Sequence, residues 1–163
     1  MSLPPFQSLL DAYGHDVHRF LTASVGPVEA DDCYQETWLA ALRAYPRLRD
    51  AANLRGWLLT VAHRKAIDHH RGRARRPVAI GAATDMASTR SGVAAAPSLP
   101  EERGGLWAQV AALPTKQRTA LALRFVADLP YEDIAAVMQT SDEAARRNVH
   151  EALKRLRREY EQP

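Results

Sequence analysis

The sequence predicts an all-α protein built as two small helical domains joined by a flexible linker. Apolar residues recur at i, i+3, i+4 and i+7 along almost the whole chain, while the strict alternation of a half-buried strand is nearly absent. One stretch interrupts the pattern: residues 77–100, PVAIGAATDMASTRSGVAAAPSLP, are poor in charge and rich in Ala, Ser, Gly and Pro. The 163 residues suit one ordinary domain or two small ones. The expected division is 1–76, 77–100 and 101–163, with the two halves on a tether that spans on the order of 80 Å when extended.

The first helix is expected from about Pro5 to Ser24, ending before Gly26-Pro27. A second runs from near Val28 to Tyr45 and stops at Pro46. Asn53 is placed to cap a third, which continues to about Arg71. Beyond the linker, helices are expected near 101–112, 115–127, 131–138 and 141–159. Pro114 and Pro130 stand at starts, where a missing N–H costs little.

The net charge is only +3, but arginines cluster locally, which favours a polyanionic partner. Cys33 is the single cysteine, so an internal disulfide and a cysteine-based zinc site are excluded, and a buried thiol is expected. The first residues, MSLPPFQSLL, lack a basic region followed by a long apolar run, and no stretch approaches a membrane span. A cytoplasmic protein is expected, without a cofactor or metal and with no further domain after residue 163.

Tyr131, Ile134, Ala135 and Met138 give one short helix a buried face, and Ala145, Val149, Ala152, Leu153 and Leu156 give the next another. Two such helices joined by about three residues form a helix-turn-helix. The second helix offers Arg146, Arg147, Asn148, His150 and Lys154 as DNA contacts. Its turn lacks the usual glycine, so Gln139 should adopt the left-handed conformation, at roughly 1–2 kcal/mol. Ser141, or Thr140 with Glu143, can cap the following helix. Taken alone, the segment is also compatible with an ordinary helical hairpin.

In "DDCYQETWLAALRAY", Tyr34, Trp38, Ala41, Leu42 and Tyr45 form the expected buried stripe. Asp32, Glu36 and Arg43 share the opposite face, with Gln35 beside them, a pattern any solvated helix could show. The third helix should bury Leu54, Leu58, Val61 and Ala62. Thr60, Arg64, Ile67 and Arg71 line its other side, with Trp57 at the border. An aromatic beside arginines suits stacking on unpaired bases, and equally a core tryptophan among solvated arginines.

The ordered set "DDCYQETWLAALRAY", "NLRGWLLTVAHRKAIDHHR" and "LPTKQRTALALRFVADLPYEDIAAVMQTS" resembles bacterial sigma factors of the sigma-70 family, of the extracytoplasmic-function (ECF) group. The resemblance implies a region 2 domain that docks on RNA polymerase core and opens the −10 element. It also implies a region 4 domain that binds the −35 element. It places Asp32, Gln35, Glu36 and Thr37 against the β′ clamp, with the β subunit as a further core contact. It assigns the loop from Pro46 to Asn53 to capture of a flipped −10 base, and Arg55, Trp57, Thr60, Arg64 and Arg71 to −10 DNA. Promoter DNA and core polymerase are the implied partners, and an anti-sigma factor is a candidate third. The chain departs from the family pattern at Arg64, often Asn, and in the recognition helix at Asn148 and Glu151, where basic residues are common.

Two other readings stand beside this one. A helix-turn-helix regulator would keep the DNA contact without the polymerase contact. An enzyme could start from Asp68-His69-His70, a string found in certain phosphoesterases, but further carboxylates on strand-end loops would be needed to hold metal. His63 and His69 are expected to face phosphate or solvent.

Overall fold

The computed structural model describes residues 2–75 and 101–161, with side chains over 2–72 and 105–161. The expected linker at 77–100 lies outside the described residues. Helix α1 spans Phe6–Val25, α2 Pro27–Ala44 and α3 Leu54–Arg75, with a single 3₁₀ turn at Tyr45–Arg47. After the linker come α4 (Glu101–Ala112), α5 (Thr115–Phe125), α6 (Tyr131–Met138) and α7 (Asp142–Glu161). No strand occurs among the described residues.

Gly26 separates α1 from α2 at φ +91°, a value only glycine adopts without strain. Its N–H caps α1 on the Thr22 carbonyl, and Pro27 opens α2 where no amide hydrogen is needed. The resulting α1–α2 hairpin is tight: a Cβ added at Gly14 would sit 2.9 Å from the Tyr34 hydroxyl. Asn53 caps α3 as expected, its Oδ1 accepting the Gly56 N–H at 2.9 Å.

The first three helices enclose Leu9, Val17, Phe20, Leu21, Ala41, Leu58, Leu59 and Ala62, all essentially without solvent contact. Phe6 meets Trp38 and Tyr45 edge-on at 5.7 and 5.3 Å, and Tyr45 meets Trp57 at 6.2 Å. This aromatic chain ties the start of α1 to the end of α2 and the first turn of α3.

Two stripe assignments need correction. Leu42 is half exposed, because the buried line of α2 runs through Ala30, Cys33, Thr37, Trp38 and Ala41 and leaves Leu42 on its outer side. On α3 the buried line includes Leu59 and His63, one position round from the expected one, while Leu54 and Val61 are only partly buried.

Helices of the two halves pack against one another. Helix α1 packs on α5 and α3 packs on α6, so Leu123, Ile134, Val137 and Val149 join the same core as Phe20 and Leu58. Periodicity identifies which face of a helix is apolar but not which neighbour covers it, so this packing was not readable from the pattern.

The turn of the helix-turn-helix adopts the expected strained geometry. Gln139 sits at φ 53° and ψ 52°. The Thr140 N–H reaches the Ala135 carbonyl at 2.9 Å and the Gln139 N–H reaches Ala136 at 3.3 Å, the paired bonds of a Schellman stop. Ser141 caps α7, its Oγ accepting the Ala144 N–H at 3.1 Å. Gln139→Gly should therefore stabilise the fold by about 1 kcal/mol, read as a rise in the urea midpoint with unchanged slope.

Candidate polymerase and nucleic-acid interfaces

Three surfaces carry the residues singled out by sequence. On α2, Asp32, Gln35 and Glu36 are exposed together. Thr37 is not: it is fully buried, and its hydroxyl donates to the Cys33 carbonyl at 2.7 Å. One turn of helix places Thr37 in line with Cys33 and Ala41, so its expected contact with another chain is replaced by an internal one. The surface instead gains two residues that sequence reasoning missed. Leu39 is 54% exposed and Leu42 50%, and both extend the face of Gln35 and Glu36 toward the end of α2. Their rotation from the Cys33–Thr37–Ala41 line was the available signal. Beneath this face the Cys33 thiol is buried and pushed up to about 11, mainly by burial and then by Glu36, Glu29 and Asp32. It stays a protonated, inert thiol at neutral pH.

The second surface lies on α3. Arg64 and Arg71 are exposed. Thr60 is half-buried and donates to the Gly56 carbonyl at 2.8 Å. Trp57 is partly buried against the core and Tyr45, which leaves only part of the ring for a base. Arg55 is occupied rather than available: its Nε lies 3.2 Å from Asp16 and its Nη2 donates to the Ala127 carbonyl. It joins α1, α3 and the α5–α6 connection, a structural role its sequence position did not reveal. The preceding loop is ordered by Asp50, whose carboxylate accepts the Ala52 N–H at 2.8 Å.

His63 departs from expectation as well. It is only 8% exposed, and its Nδ1 has no hydrogen-bond partner among the described residues. Burial, then the charges of Arg64 and His70, lower its pKa to about 4, so the ring is neutral at neutral pH. His69 lies 3.5 Å from Glu29 on α2. Among the described residues no group of three or more His, Cys, Asp or Glu is placed to hold a metal ion.

The third surface is α7. Arg146, His150 and Lys154 are exposed along one line of the helix, at i, i+4 and i+8. Arg146 stacks on the Tyr131 ring at 4.7 Å, with Arg124 at 4.9 Å, so two guanidiniums share one aromatic ring. Arg147 and Asn148 instead line a cavity of about 650 Å³ together with His63, Ile67 and Arg71 of α3 and Lys116 and Thr119 of α5. Residues expected at the −10 and −35 elements thus face one another across a single cleft.

Residues 9–76 match the family described as Sigma-70 region 2, and residues 103–156 match Sigma-70, region 4. The chain belongs to the sigma-70 family. Among its relatives, the ECF RNA polymerase sigma factor SigD of Mycobacterium tuberculosis is 36% identical over 152 residues, covering 88% of this chain and 71% of that protein. The RNA polymerase sigma-H factor of Pseudomonas aeruginosa is 33% identical over 144 residues, covering 82% of this chain and 75% of the relative. The fold is similar to that of the sigma factor RpoE from Bartonella quintana, solved with the anti-sigma factor NepR, at a TM-score of 0.71 and 22% identity over 93% of both chains. It is also similar to CnrH, solved with the cytosolic domain of CnrY, at a TM-score of 0.67 and 20% identity over 93% of this chain and 84% of that one. This ECF sigma factor is a transcription initiation factor that binds RNA polymerase and promoter DNA. No helix among its described residues is long and apolar enough to cross a membrane.

Proposed function

We propose that residues 1–76 dock this sigma factor on core polymerase and open the −10 element, while residues 101–163 bind the −35 element, with 77–100 threading between. The docking face is Asp32, Gln35 and Glu36 with Leu39 and Leu42. A few acids beside exposed leucines fit a protein interface better than a purely solvated helix face. Arg64 and Arg71 hold the phosphates of the opened strand, and the accessible part of Trp57 supports an unpaired base. Melting opposes stacking of about 1.4 kcal/mol per base-pair step, which these contacts offset. The protein acts in the cytoplasm and contributes no chemistry of its own, the core enzyme supplying catalysis. An anti-sigma factor, the partner class of RpoE in its solved complex, is the natural regulator of such a chain.

The observation that carries this reading is the exposure, on one chain, of an acidic and apolar α2 face and of cationic surfaces on α3 and α7. A regulator that never meets polymerase has no use for the first of these. Because Arg147 and Asn148 line the cleft against α3, a −35 duplex engages them only once α6 and α7 move away from α3. Transcription reconstituted from core polymerase and this protein, followed by mapping of start sites, should yield one promoter class; absence of any specific start would refute the proposal.

Within that class, Arg147→Ala should weaken −35 binding about tenfold and relax one base position, as expected for loss of an arginine–guanine contact. Arg146 is partly committed to Tyr131, so Arg146→Ala should reduce affinity across all sequences alike. Selection from a randomised duplex pool distinguishes the two effects.

A further inference from the structure

The cleft between α3, α5 and α7 has features that recognition of a duplex does not require. Its lining carries three permanent cations, Arg71, Lys116 and Arg147, one from each helix, and no carboxylate. Helix α5 begins at its edge with Thr115, and its N-cap residue, Pro114, has no side-chain acceptor for the first-turn N–H groups, which suits that end to an anion. The buried hydroxyl residue Thr119 lies one turn further in. On the opposite wall stands His63, more than nine-tenths buried, with an Nδ1 that no described residue satisfies.

Size selects among anionic occupants. About 650 Å³ lies inside the range of small-molecule sites, whereas a B-form duplex, with a major groove alone about 12 Å wide, does not enter it. Ile67 and Met138 add an apolar wall, which a bare ion would not use. We propose that this cleft binds a small phosphate-bearing molecule of nucleotide size. Its phosphates lie among Lys116, Arg71, Arg147 and the open end of α5, and its apolar part rests on Ile67 and Met138. The ligand bridges α3 to α5 and α7, so it holds the two halves together.

Binding itself does not depend on the promoter assignments, but its consequence rests on them. Arg71 and Arg147 are assigned to −10 and −35 DNA, so a bound ligand competes with the promoter. The test is calorimetric titration of the full chain with inorganic pyrophosphate and with adenosine diphosphate at one fixed ionic strength. One or both should bind at a single site with a Kd below about 1 mM. Lys116→Ala, at an exposed position outside the assigned DNA contacts, should weaken binding about tenfold, and Arg157→Ala, on the outer surface of α7, should not. Adenosine diphosphate should bind at least about tenfold tighter than pyrophosphate, and equal affinities would overturn an occupant of nucleotide size, since the apolar wall would then add nothing. The proposal is overturned if neither probe binds, or if Lys116→Ala and Arg157→Ala weaken binding equally, since general attraction to a basic surface then suffices. Promoter-specific transcription by Lys116→Ala reports separately on the functional reading: its loss together with that of the unmodified chain condemns that reading and leaves the isotherm standing.

Discussion

Replacing Asp32 and Glu36 together by arginine should lower affinity for core polymerase about a hundredfold, because reversal turns attraction into repulsion at two points of one interface. Both side chains are exposed and neither lies on the buried line of α2, so helicity and the unfolding midpoint should barely move. Leu39→Ala with Leu42→Ala should also weaken association, through lost apolar burial of about 25 cal/mol per Å². Thr37→Val supplies the contrast. Its hydroxyl bonds the Cys33 carbonyl inside the bundle, so the variant should lose about 1 kcal/mol of stability yet bind core normally. Fluorescence titration of labelled chain with core measures all three variants. Normal affinity in the double reversal would remove the α2 face from the interface, and weakened binding in Thr37→Val at full occupancy of the native state would return Thr37 to it.

That contrast marks where sequence reasoning succeeds in this fold and where it stops. Helix extents follow from local signals: Asn53 before α3, Gly26-Pro27 between α1 and α2, and Pro114 and Pro130 ahead of α5 and α6. The left-handed Gln139 was also legible, since a standard helix-turn-helix turn puts a left-handed residue at that position. Leu42 was misplaced because it lies near the border of its stripe, where a modest rotation of the helix exchanges buried for exposed. Thr37 was placed outside by the motif it belongs to, although it sits in the middle of the buried line. Arg55 failed for a different reason. Its partners Asp16 and Ala127 lie 39 and 72 residues away, and no local pattern encodes an ion pair with one half of the chain and a backbone contact with the other. The packing of α3 on α6 that buries this neighbourhood is likewise a long-range fact.

His63 follows from the same long-range packing, and it makes stability depend on pH. Its pKa falls from the ordinary 6.5 to about 4 in the folded chain, chiefly through burial and further through Arg64 and His70. The unfolded chain takes up a proton on this ring as pH falls through 6.5, while the folded chain resists until about 4. Between those values the unfolded state holds more protons, so stability rises with pH across the window and is lost as pH falls. The full separation corresponds to about 3 kcal/mol, at about 1.4 kcal/mol for each pH unit, a large share of a small domain's stability. Above pH 6.5 the contribution is complete and flat. Carboxylates titrate over the acid end of the same range, so the informative quantity is a difference between two proteins. His63→Gln keeps a polar, uncharged side chain at the wall of the cleft and cannot take up the proton. Urea midpoints from pH 7 down to pH 4.5 should therefore fall steeply in the original chain and more gently in His63→Gln, the curves drawing together as pH falls. Parallel curves would mean that the imidazole protonates as readily folded as unfolded, and the neutral state of the buried His63 would have to be abandoned.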